Sequence, residues 1–203
     1  MKVIRKIKIK TTGYALGDQI IIKLKDGRKF SATCHRKEGN RALFVFDQIV
    51  GRMPMNENGS TEGGYFGSDL RRWLNSDFYE LFPKKIKKNI VRDSGEYVRL
   101  LYAYEVFGDD YPWEHDEIPD DQLPLMQKRR ARITLDLDDD MANWWLRDVV
   151  NSTAFAVVNA NGNASGNNAS YSSGVRPAFT IMDPQSPPLV GGPKEGETVY
   201  NEF

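Results

Sequence analysis

The sequence predicts an α+β domain in which antiparallel strands pack against two or more helices. Three observations carry this prediction. β-Branched runs flank a turn in the first 50 residues, one apolar stripe of helical period follows residue 68, and strand-like runs return after residue 143. A chain of 203 residues is long enough for one domain that buries its own hydrophobic core.

The N-terminal part reads as a β-hairpin region. Apolar residues recur with near period two among the lysines of 1–10, and the run 20–24 is dense in isoleucine. The dipeptide Asp26-Gly27 is a tight-turn signal between this run and the next strand. The predicted strands of this part cover residues 1–10, 20–24, 29–34 and 42–50.

The first predicted helix begins after a glycine-rich stretch. Ser68 is a favourable N-cap, and Asp69 places negative charge in the first turn, where the helix dipole stabilises it. Pro83 marks the end of the helix. The apolar stripe consists of Leu70, Trp73, Leu74, Phe78 and Leu81. A short basic helix is predicted over 84–91, whereas 100–106 fits either a strand or a short helical turn.

The last third of the chain changes composition sharply. Sixteen residues, 159–174, are all Asn, Ala, Gly or Ser except Tyr171, and they lie between strand-like runs at 154–158 and 175–181. Such a composition often marks a flexible linker. A linker rarely interrupts a sheet, however, and Asn161-Gly162 is a two-residue turn signal. We therefore expect an ordered stretch that presents a broad polar binding surface with one aromatic anchor.

Charge is balanced overall but uneven along the chain. Lys plus Arg and Asp plus Glu both number 28, so the net charge gives no reason to expect nucleic-acid binding. Residues 1–41 carry twelve Lys and Arg, and residues 105–121 carry eight carboxylates. In a first interpretation these segments form a pair of surfaces that attract one another, or two solvated faces. In a second, they form a basic arm that docks onto an acidic partner or a neighbouring subunit. No apolar run is long enough to span a bilayer, and the N-terminal ten residues lack the apolar core of a secretory signal.

The residue inventory disfavours a catalytic or metal centre. A single cysteine, Cys34, excludes an intrachain disulfide and a thiolate metal cage, and only two histidines, His35 and His115, are present. Asp136, Asp138 and Asp140 have the spacing that begins a calcium loop, but the glycine and the twelfth-position glutamate are missing. No phosphate-binding or nucleophile-elbow motif occurs. The sequence therefore predicts no enzyme, cofactor or metal site.

Four segments resemble elements of one known family. They are GSDLRRWLNSDFYELF, LLYAYEVFG, NWWLRD and SSGVRPAF. Together they resemble a C-type-lectin-like family of bacterial and phage proteins, some of whose members are variable proteins of diversity-generating retroelements. The resemblance spans about residues 42–181, and the Trp-Trp-Leu-Arg and Gly-Val-Arg-Pro-Ala motifs are its most specific part. One departure is Asp148-Val149, where the family usually has Ser-Pro.

The resemblance implies a C-type lectin-like fold with twisted antiparallel strands, preceded by the N-terminal hairpin region. We expect the chain to divide into a basic β-strand region over 1–41 packed on the main domain, a lectin-like domain over 42–183 with a variable region at 143–178, and a Pro/Gly-rich tail over 184–203. The lectin calcium motifs are missing, which argues against calcium-dependent sugar binding. In the retroelement members, mutagenesis directed at adenines diversifies codons near the C-terminus, with asparagine codons as usual targets.

The resemblance therefore implies a non-enzymatic protein that binds a protein or cell-surface ligand, with no nucleic acid and no membrane insertion. The expected core includes Trp73, Leu74, Trp144, Trp145, Leu146 and Phe179, with Arg147 and Arg176 as buried donors. The expected binding residues are Asp148, Asn151, Asn159, Asn161, Asn163, Asn167, Asn168, Tyr171 and Ser172. Two alternatives remain: a structural or decoration protein of a phage or virus without a diversified site, and an enzyme using acidic residues between 105 and 140.

Overall fold

The computed structural model describes residues 13–110, 112–113 and 121–183, which form a mixed α/β structure built mostly from antiparallel strands. The predictions for the strand at 1–10, for His115 and for the tail at 184–203 lie outside these residues. The strands are β1 (Gln19–Lys23), β2 (Lys29–Glu38), β3 (Arg41–Phe46), β4 (Arg52–Met53), β5 (Trp144–Asn151), β6 (Ala154–Val158), β7 (Ala164–Asn168), β8 (Ser173–Gly174) and β9 (Ala178–Met182).

The N-terminal hairpin prediction is confirmed for β1 and β2. The two strands pair antiparallel, and Gly27 in the connecting turn has a φ of 92°. They belong to a four-stranded sheet in the order β1-β2-β3-β9. The last described strand, β9, therefore pairs antiparallel with β3. A β-bulge interrupts β2 between Cys34 and Arg36.

The second sheet has five strands in the order β4-β8-β5-β6-β7. Strands β5, β6 and β7 are sequential antiparallel neighbours, and β8 joins β5 in a single parallel pairing at Trp144 and Gly174. The prediction of a strand at 154–158 is therefore confirmed without a change of boundary, and β9 confirms the C-terminal half of the run at 175–181.

The helical segment after Ser68 begins as predicted. Ser68 Oγ accepts the N–H of Arg71, and α1 (Asp69–Trp73) continues through a π-helical turn at Leu74–Phe78 into α2 (Tyr79–Leu81). Asn75 ties the π turn to the next segment, because its side chain donates to the Val98 carbonyl at 2.8 Å and accepts the Tyr97 N–H at 2.7 Å. The remaining α-helices are α3 (Lys84–Lys87), α4 (Ala103–Phe107) and α5 (Arg129–Arg132).

One further sequence-based expectation is resolved by the structure. The ambiguous segment 100–106 contains a helix, α4, whose first turn is held by Glu105 Oε2 accepting the Tyr102 N–H at 2.8 Å. Single 3₁₀ turns lie at Tyr65–Gly67, Gly108–Asp110 and Pro124–Met126.

Two hydrophobic clusters form the core. The larger contains Trp145 and a group of interlocking phenylalanines, in which the Phe46 ring centroid lies 5.7 Å from Phe179 and 5.8 Å from Phe78. The smaller contains Trp144 and Leu146 together with residues of α4. Successive residues of β5 thus face opposite clusters, as the pleat requires. Trp73 departs from the expectation of a fully buried core residue, because it is only partly buried and packs at the rim of the larger cluster.

Candidate functional site

The stretch at 159–174 is ordered into a hairpin and a tight turn. Strands β6 and β7 pair from Ala154 with Asn168 to Val158 with Ala164. The connecting loop contains the predicted turn: Gly162 has a φ of 79°, and its N–H donates to the Asn159 carbonyl at 2.8 Å. Asn159 Oδ1 also accepts the N–H groups of Asn161 and Asn163 at 2.9 and 3.1 Å. Asn159 therefore shapes the loop, and we call Asn159–Asn163 the hairpin tip.

A second turn joins β7 to β8. The Tyr171 N–H donates to the Asn168 carbonyl at 2.9 Å, and Asn168 Oδ1 accepts the N–H and hydroxyl of Ser170 at 3.0 and 2.8 Å. Tyr171 extends from this turn with 62% of its surface exposed. Ser172 is exposed beside it. The turn is thus fixed by its own side chains while its largest side chain faces solvent.

The glycine-rich loop 56–67 runs beside this turn and beside the β5–β6 turn. The Asn56 N–H donates to the Ala169 carbonyl at 3.0 Å, and the Thr61 hydroxyl donates to the Asn151 carbonyl at 2.9 Å. A Cβ at Gly64 would lie 3.9 Å from Val149 Cγ2. Three chain segments therefore form one continuous surface. We call it the turn surface and define it as residues 56–67, 149, 151–153 and 168–172.

The turn surface exposes three large apolar or aromatic side chains in a polar setting. Phe66 is 51% exposed, Val149 is 45% exposed, and Tyr171 is the most exposed of the three. The side chains of Asn151 and Asn168 accept hydrogen bonds only from neighbours within their own turns. A partner can therefore contact this surface without removing a hydrogen bond that holds the two sheets together.

The nine predicted binding residues do not form one cluster. Asn151, Asn168, Tyr171 and Ser172 belong to the turn surface, whereas Asn159, Asn161 and Asn163 lie at the hairpin tip, at the other end of β6 and β7. These three would share one face of an extended strand, but the predicted Asn161-Gly162 turn forms, so they occupy a loop and that alternation is broken. Asn167 is half-buried and not fully solvent-facing, and its Nδ2 donates to the buried Ser173 hydroxyl at 2.7 Å.

Asp148 lies beneath the surface and not on it. It is half-buried on β5, and its Oδ2 accepts the Ala103 N–H of α4 at 2.6 Å. Burial raises the pKa of this carboxyl to about 6, against the lowering effect of the Ala103 hydrogen bond. The expectation that Asp148 is a binding residue on the surface is therefore wrong, because its side chain links β5 to α4.

Arg147 and Arg176 are buried donors, as expected. The Arg147 guanidinium donates to Glu96 Oε2 at 2.8 Å and lies 4.3 to 4.7 Å from the ring centroids of Tyr65, Phe66 and Tyr102. Arg176 Nε donates to the Phe46 carbonyl at 2.8 Å, and the guanidinium faces the Trp144 ring. Complete burial lowers the pKa of Arg176 to about 10. Both arginines thus belong to the scaffold under the site.

The acidic residues do not assemble a metal centre within the described part of the chain. Asp136 Oδ1 accepts the N–H groups of Asp138 and Asp140 at 3.0 and 3.1 Å, and its other oxygen pairs with Arg52. The spacing that begins a calcium loop here stabilises a turn. Cys34 is buried, and its thiol donates to the Arg36 carbonyl at 3.4 Å, an arrangement that does not prepare a nucleophile.

A separate cleft of about 570 Å³ lies beside the bulge in β2. Its wall includes His35, Arg36 and Asp121, and the latter two form an ion pair at 2.8 Å. His35 is 4% exposed and its Nδ1 has no hydrogen-bond partner in the structure. Burial, with a further contribution from the Arg176 charge, lowers the pKa of His35 to about 4, so the imidazole is neutral at pH 7.

Sequence reasoning missed the contribution of the loop 56–67 to the site. Its segment NENGSTEGG shares Asn, Ser and Gly with the C-terminal stretch but also contains Glu57, Thr61 and Glu62, and the shared residue types were the available signal. Its position beside β5 and β7 depends on contacts across more than 80 residues of sequence, such as that between Thr61 and Asn151. Such contacts leave no local pattern.

Comparison with known proteins places the chain in a family. A family model described as a domain of unknown function (DUF6273) matches residues 39–99 and 98–183. These matches cover more than half of the chain, so the protein belongs to this family. No curated protein and no solved structure matches it. Within the described residues, no helix is long and apolar enough to cross a membrane.

Proposed function

We propose that the protein is a ligand-binding member of the C-type-lectin-like proteins and that the turn surface is a diversified binding site. In this proposal the protein performs no catalysis, and its ligand is a protein or another cell-surface molecule. Asn151, Asn168, Tyr171 and Ser172 contact the ligand, and Phe66 and Val149 add apolar area. The hairpin tip contributes Asn161 and Asn163 at the periphery.

The observation that carries the proposal is the convergence of three turns around exposed Tyr171 on a rigid two-sheet support. Antibody binding loops are rich in the same residue types, because tyrosine supplies rigid contact area and asparagine, serine and glycine supply adaptable polar contacts. Tyrosine is also enriched among residues that dominate binding energies. The turns 151–153 and 168–172 carry no charged residue, and the loop 56–67 adds only the carboxylates Glu57 and Glu62, so the surface disfavours a phosphate or a nucleic acid.

The separation between buried motif residues and exposed turn residues supports the same proposal. Trp144, Trp145, Arg147 and Arg176 are buried. A Cβ at Gly174 would lie 2.2 Å from Ile49 Cδ1, so the glycine of the Gly-Val-Arg-Pro-Ala motif is required by close packing. Residues that differ among diversified copies must avoid such positions, since large changes there cost folding stability.

Sequencing of the genomic locus tests the diversification. We expect a reverse transcriptase gene and a near-identical template repeat that matches codons 143–178. Differences between the repeat and the gene should fall at template adenines and change turn-surface positions, such as half-buried Asn168 and exposed Tyr171 and Ser172. The codons of Trp144, Trp145 and Gly174 should be identical in both. A locus without a repeat would contradict diversification and favour the decoration protein of a phage or virus.

A further inference from the structure

Strand β7 is the outermost strand of the five-stranded sheet. It pairs with β6 on one side, and no described strand pairs with its other side. The strand connects the two groups of predicted binding residues, because the hairpin tip precedes it and the turn 168–172 follows it. Its backbone therefore lies along the same side of the molecule as the proposed binding residues.

The pairing register shows which backbone groups point away from β6. The Asn159 N–H donates to the Asn163 carbonyl, and the Ala169 N–H donates to the Thr153 carbonyl, both at 2.8 Å. Hydrogen-bonded pairs alternate along an antiparallel ladder, so residues 163, 165, 167 and 169 face β6. The N–H and C=O groups of Ala164, Gly166 and Asn168 face outward.

Asn168 is already satisfied, whereas Ala164 and Gly166 are not. The Asn168 N–H donates to Asn167 Oδ1 at 3.1 Å, and its carbonyl accepts the Tyr171 N–H. Within the described residues, no hydrogen bond involves the N–H or C=O groups of Ala164 and Gly166 on this outer edge. Four backbone groups therefore form a short open ladder between the tip and the turn surface.

This edge also lacks the usual protection against pairing. Natural edge strands carry charged residues, proline or bulges that prevent another chain from adding a strand. Residues 159–174 contain no charged residue and no proline, and the β6–β7 register is regular. The other sheet differs, since its edge strand β1 contains Lys23 and is flanked by Asp18 and Lys25.

From this geometry we infer that the ligand is an extended peptide segment of a partner protein, which adds a strand to the edge of β7. This inference rests on the proposed function and names the chemistry of its ligand. The partner backbone pairs with Ala164 and Gly166, which provides affinity, and its side chains reach the tip on one side and Tyr171 on the other.

Selection from a phage-displayed library of random heptapeptides, on the immobilised full-length protein, tests this inference. The dissociation constants of the enriched peptides are then measured for the wild type, Gly166→Pro and Gly166→Ala. Proline removes the outward N–H and leaves every β6–β7 hydrogen bond in place, as is tolerated at sheet edges. Alanine keeps the N–H and meets only ordinary contacts, so it is the matched control. Melting temperatures confirm that both variants fold.

We expect Gly166→Ala to bind within about threefold of the wild type and Gly166→Pro to bind at least tenfold more weakly. N-methylation of the selected peptide provides a second measurement on the wild type that does not depend on folding of the proline variant. Methyl groups on one alternate set of amides should abolish binding, and methyl groups on the other set should preserve it, because only one set faces β7.

Equal binding by Gly166→Pro, equal tolerance of both methylation sets, or failure to enrich any peptide would overturn strand addition. Dimerisation of the wild type that Gly166→Pro removes would also overturn it, by making a second copy the occupant. The variant Tyr171→Ala with Ser172→Glu separates this inference from the proposed function. If the Tyr171→Ala, Ser172→Glu variant loses binding and Gly166→Pro keeps it, the proposed turn surface is supported and strand addition is contradicted. If both variants keep binding, both the turn surface and strand addition are contradicted.

Discussion

Burial shifts the pKa values of two side chains, Asp148 and His35, in opposite directions. The folded-state pKa of Asp148 is raised to about 6, and that of His35 is lowered to about 4, in both cases mainly by burial. Between pH 4 and 6 folded Asp148 binds more protons than the unfolded chain does, and folded His35 binds fewer. The two groups therefore contribute opposite slopes of stability against pH, which partly cancel in the wild type.

Asp148→Asn should remove the Asp148 contribution. The contribution of Asp148 to wild-type stability falls as pH rises from 4 to 6, because the half-buried carboxyl must ionise, whereas asparagine keeps an acceptor for the Ala103 N–H. We expect the unfolding free energy of the variant, relative to wild type, to rise by about 1–2 kcal/mol between pH 4 and pH 7. Urea denaturation at these pH values measures it. A difference that does not change with pH would contradict the burial of Asp148.

His35→Leu should have the opposite pH signature. The contribution of His35 to wild-type stability falls as pH drops from about 6.5 to 4, because the imidazole binds a proton in the unfolded chain but stays neutral when buried in the folded protein. Leucine has no proton to bind, so the variant should gain about 2 kcal/mol relative to wild type over the same acidification. Parallel stability curves for the two proteins would show that His35 is accessible to solvent and protons in the folded state.

At the scale of elements, the β6–β7 hairpin shows how much the sequence predicts. The Asn161-Gly162 dipeptide and the apolar run 154–158 are local signals, and the structure confirms both. The helix start at Ser68 and the Asp26-Gly27 hairpin are also local and are confirmed. The partial exposure of Trp73 and the burial of Asp148 are not local, because they depend on which elements pack against the residue.

No local sequence pattern predicts that the expected binding residues divide into two groups. Asn159, Asn161 and Asn163 look equivalent to Asn167 and Asn168 in composition, and only the register of β6 with β7 separates them by the length of a strand. Five strand residues span about 13 Å, at roughly 3.3 Å per residue. The same fold brings Thr61 of the loop 56–67 into contact with Asn151, which lies 90 residues later in the chain.

Gly162→Ala should destabilise the hairpin, whereas Asn161→Ala should not. An alanine at position 162 would have to keep a φ of 79°, and its Cβ would lie 2.4 Å from the Arg129 carbonyl oxygen. We expect a loss of about 1–3 kcal/mol. Asn161 is exposed and its side chain makes no hydrogen bond in the structure, so its replacement should stay within about 0.5 kcal/mol. Thermal denaturation of both variants measures the contrast, and equal losses would contradict the observed turn.

Trp145→Ala should cost far more stability than Trp73→Ala. Trp145 is fully buried and its indole N–H donates to the Met53 carbonyl at 2.9 Å, so truncation leaves a cavity and an unpaired carbonyl. Such truncations cost about 3–5 kcal/mol, a large share of a domain's stability. Trp73 is only partly buried against Phe78, and we expect about 1–2 kcal/mol there. Chemical denaturation should rank the two accordingly, and a reversed order would place the core elsewhere.

At the scale of the whole molecule, the uneven charge distribution is neutralised in part within the chain. Arg36 of β2 pairs with Asp121 at 2.8 Å and lies 3.9 Å from Glu105, and Arg99 pairs with Glu105 at 2.7 Å. Basic and acidic segments thus attract each other across the cleft at β2. This is the arrangement of mutually attracting surfaces in the first interpretation of the charge pattern. The turn surface lies apart from these pairs, and its charged residues are Glu57 and Glu62 of the loop 56–67.

The two-sheet support and the turn surface therefore have different tolerances to substitution. Motif residues such as Trp144, Arg147 and Gly174 are fixed by burial and close contact. Exposed residues such as Ser152, Tyr171 and Ser172 can change without altering the core. A fixed support with a changeable surface is the physical requirement for a diversified binding protein.

The most direct test of this account measures ligand binding and melting temperature together, on an array of cell-surface proteins and polysaccharides. The turn variant carries Ser152→Glu, Tyr171→Ala and Ser172→Glu, and the matched tip variant carries Asn161→Glu and Asn163→Glu. We predict that the turn variant melts within a few degrees of wild type, as surface changes do, and loses the ligands that wild type binds. The tip variant, which changes only peripheral contacts, should bind the same ligands with a much smaller loss of affinity. Binding retained by the turn variant, or unfolding of that variant, would contradict the assignment of the turn surface as the binding site.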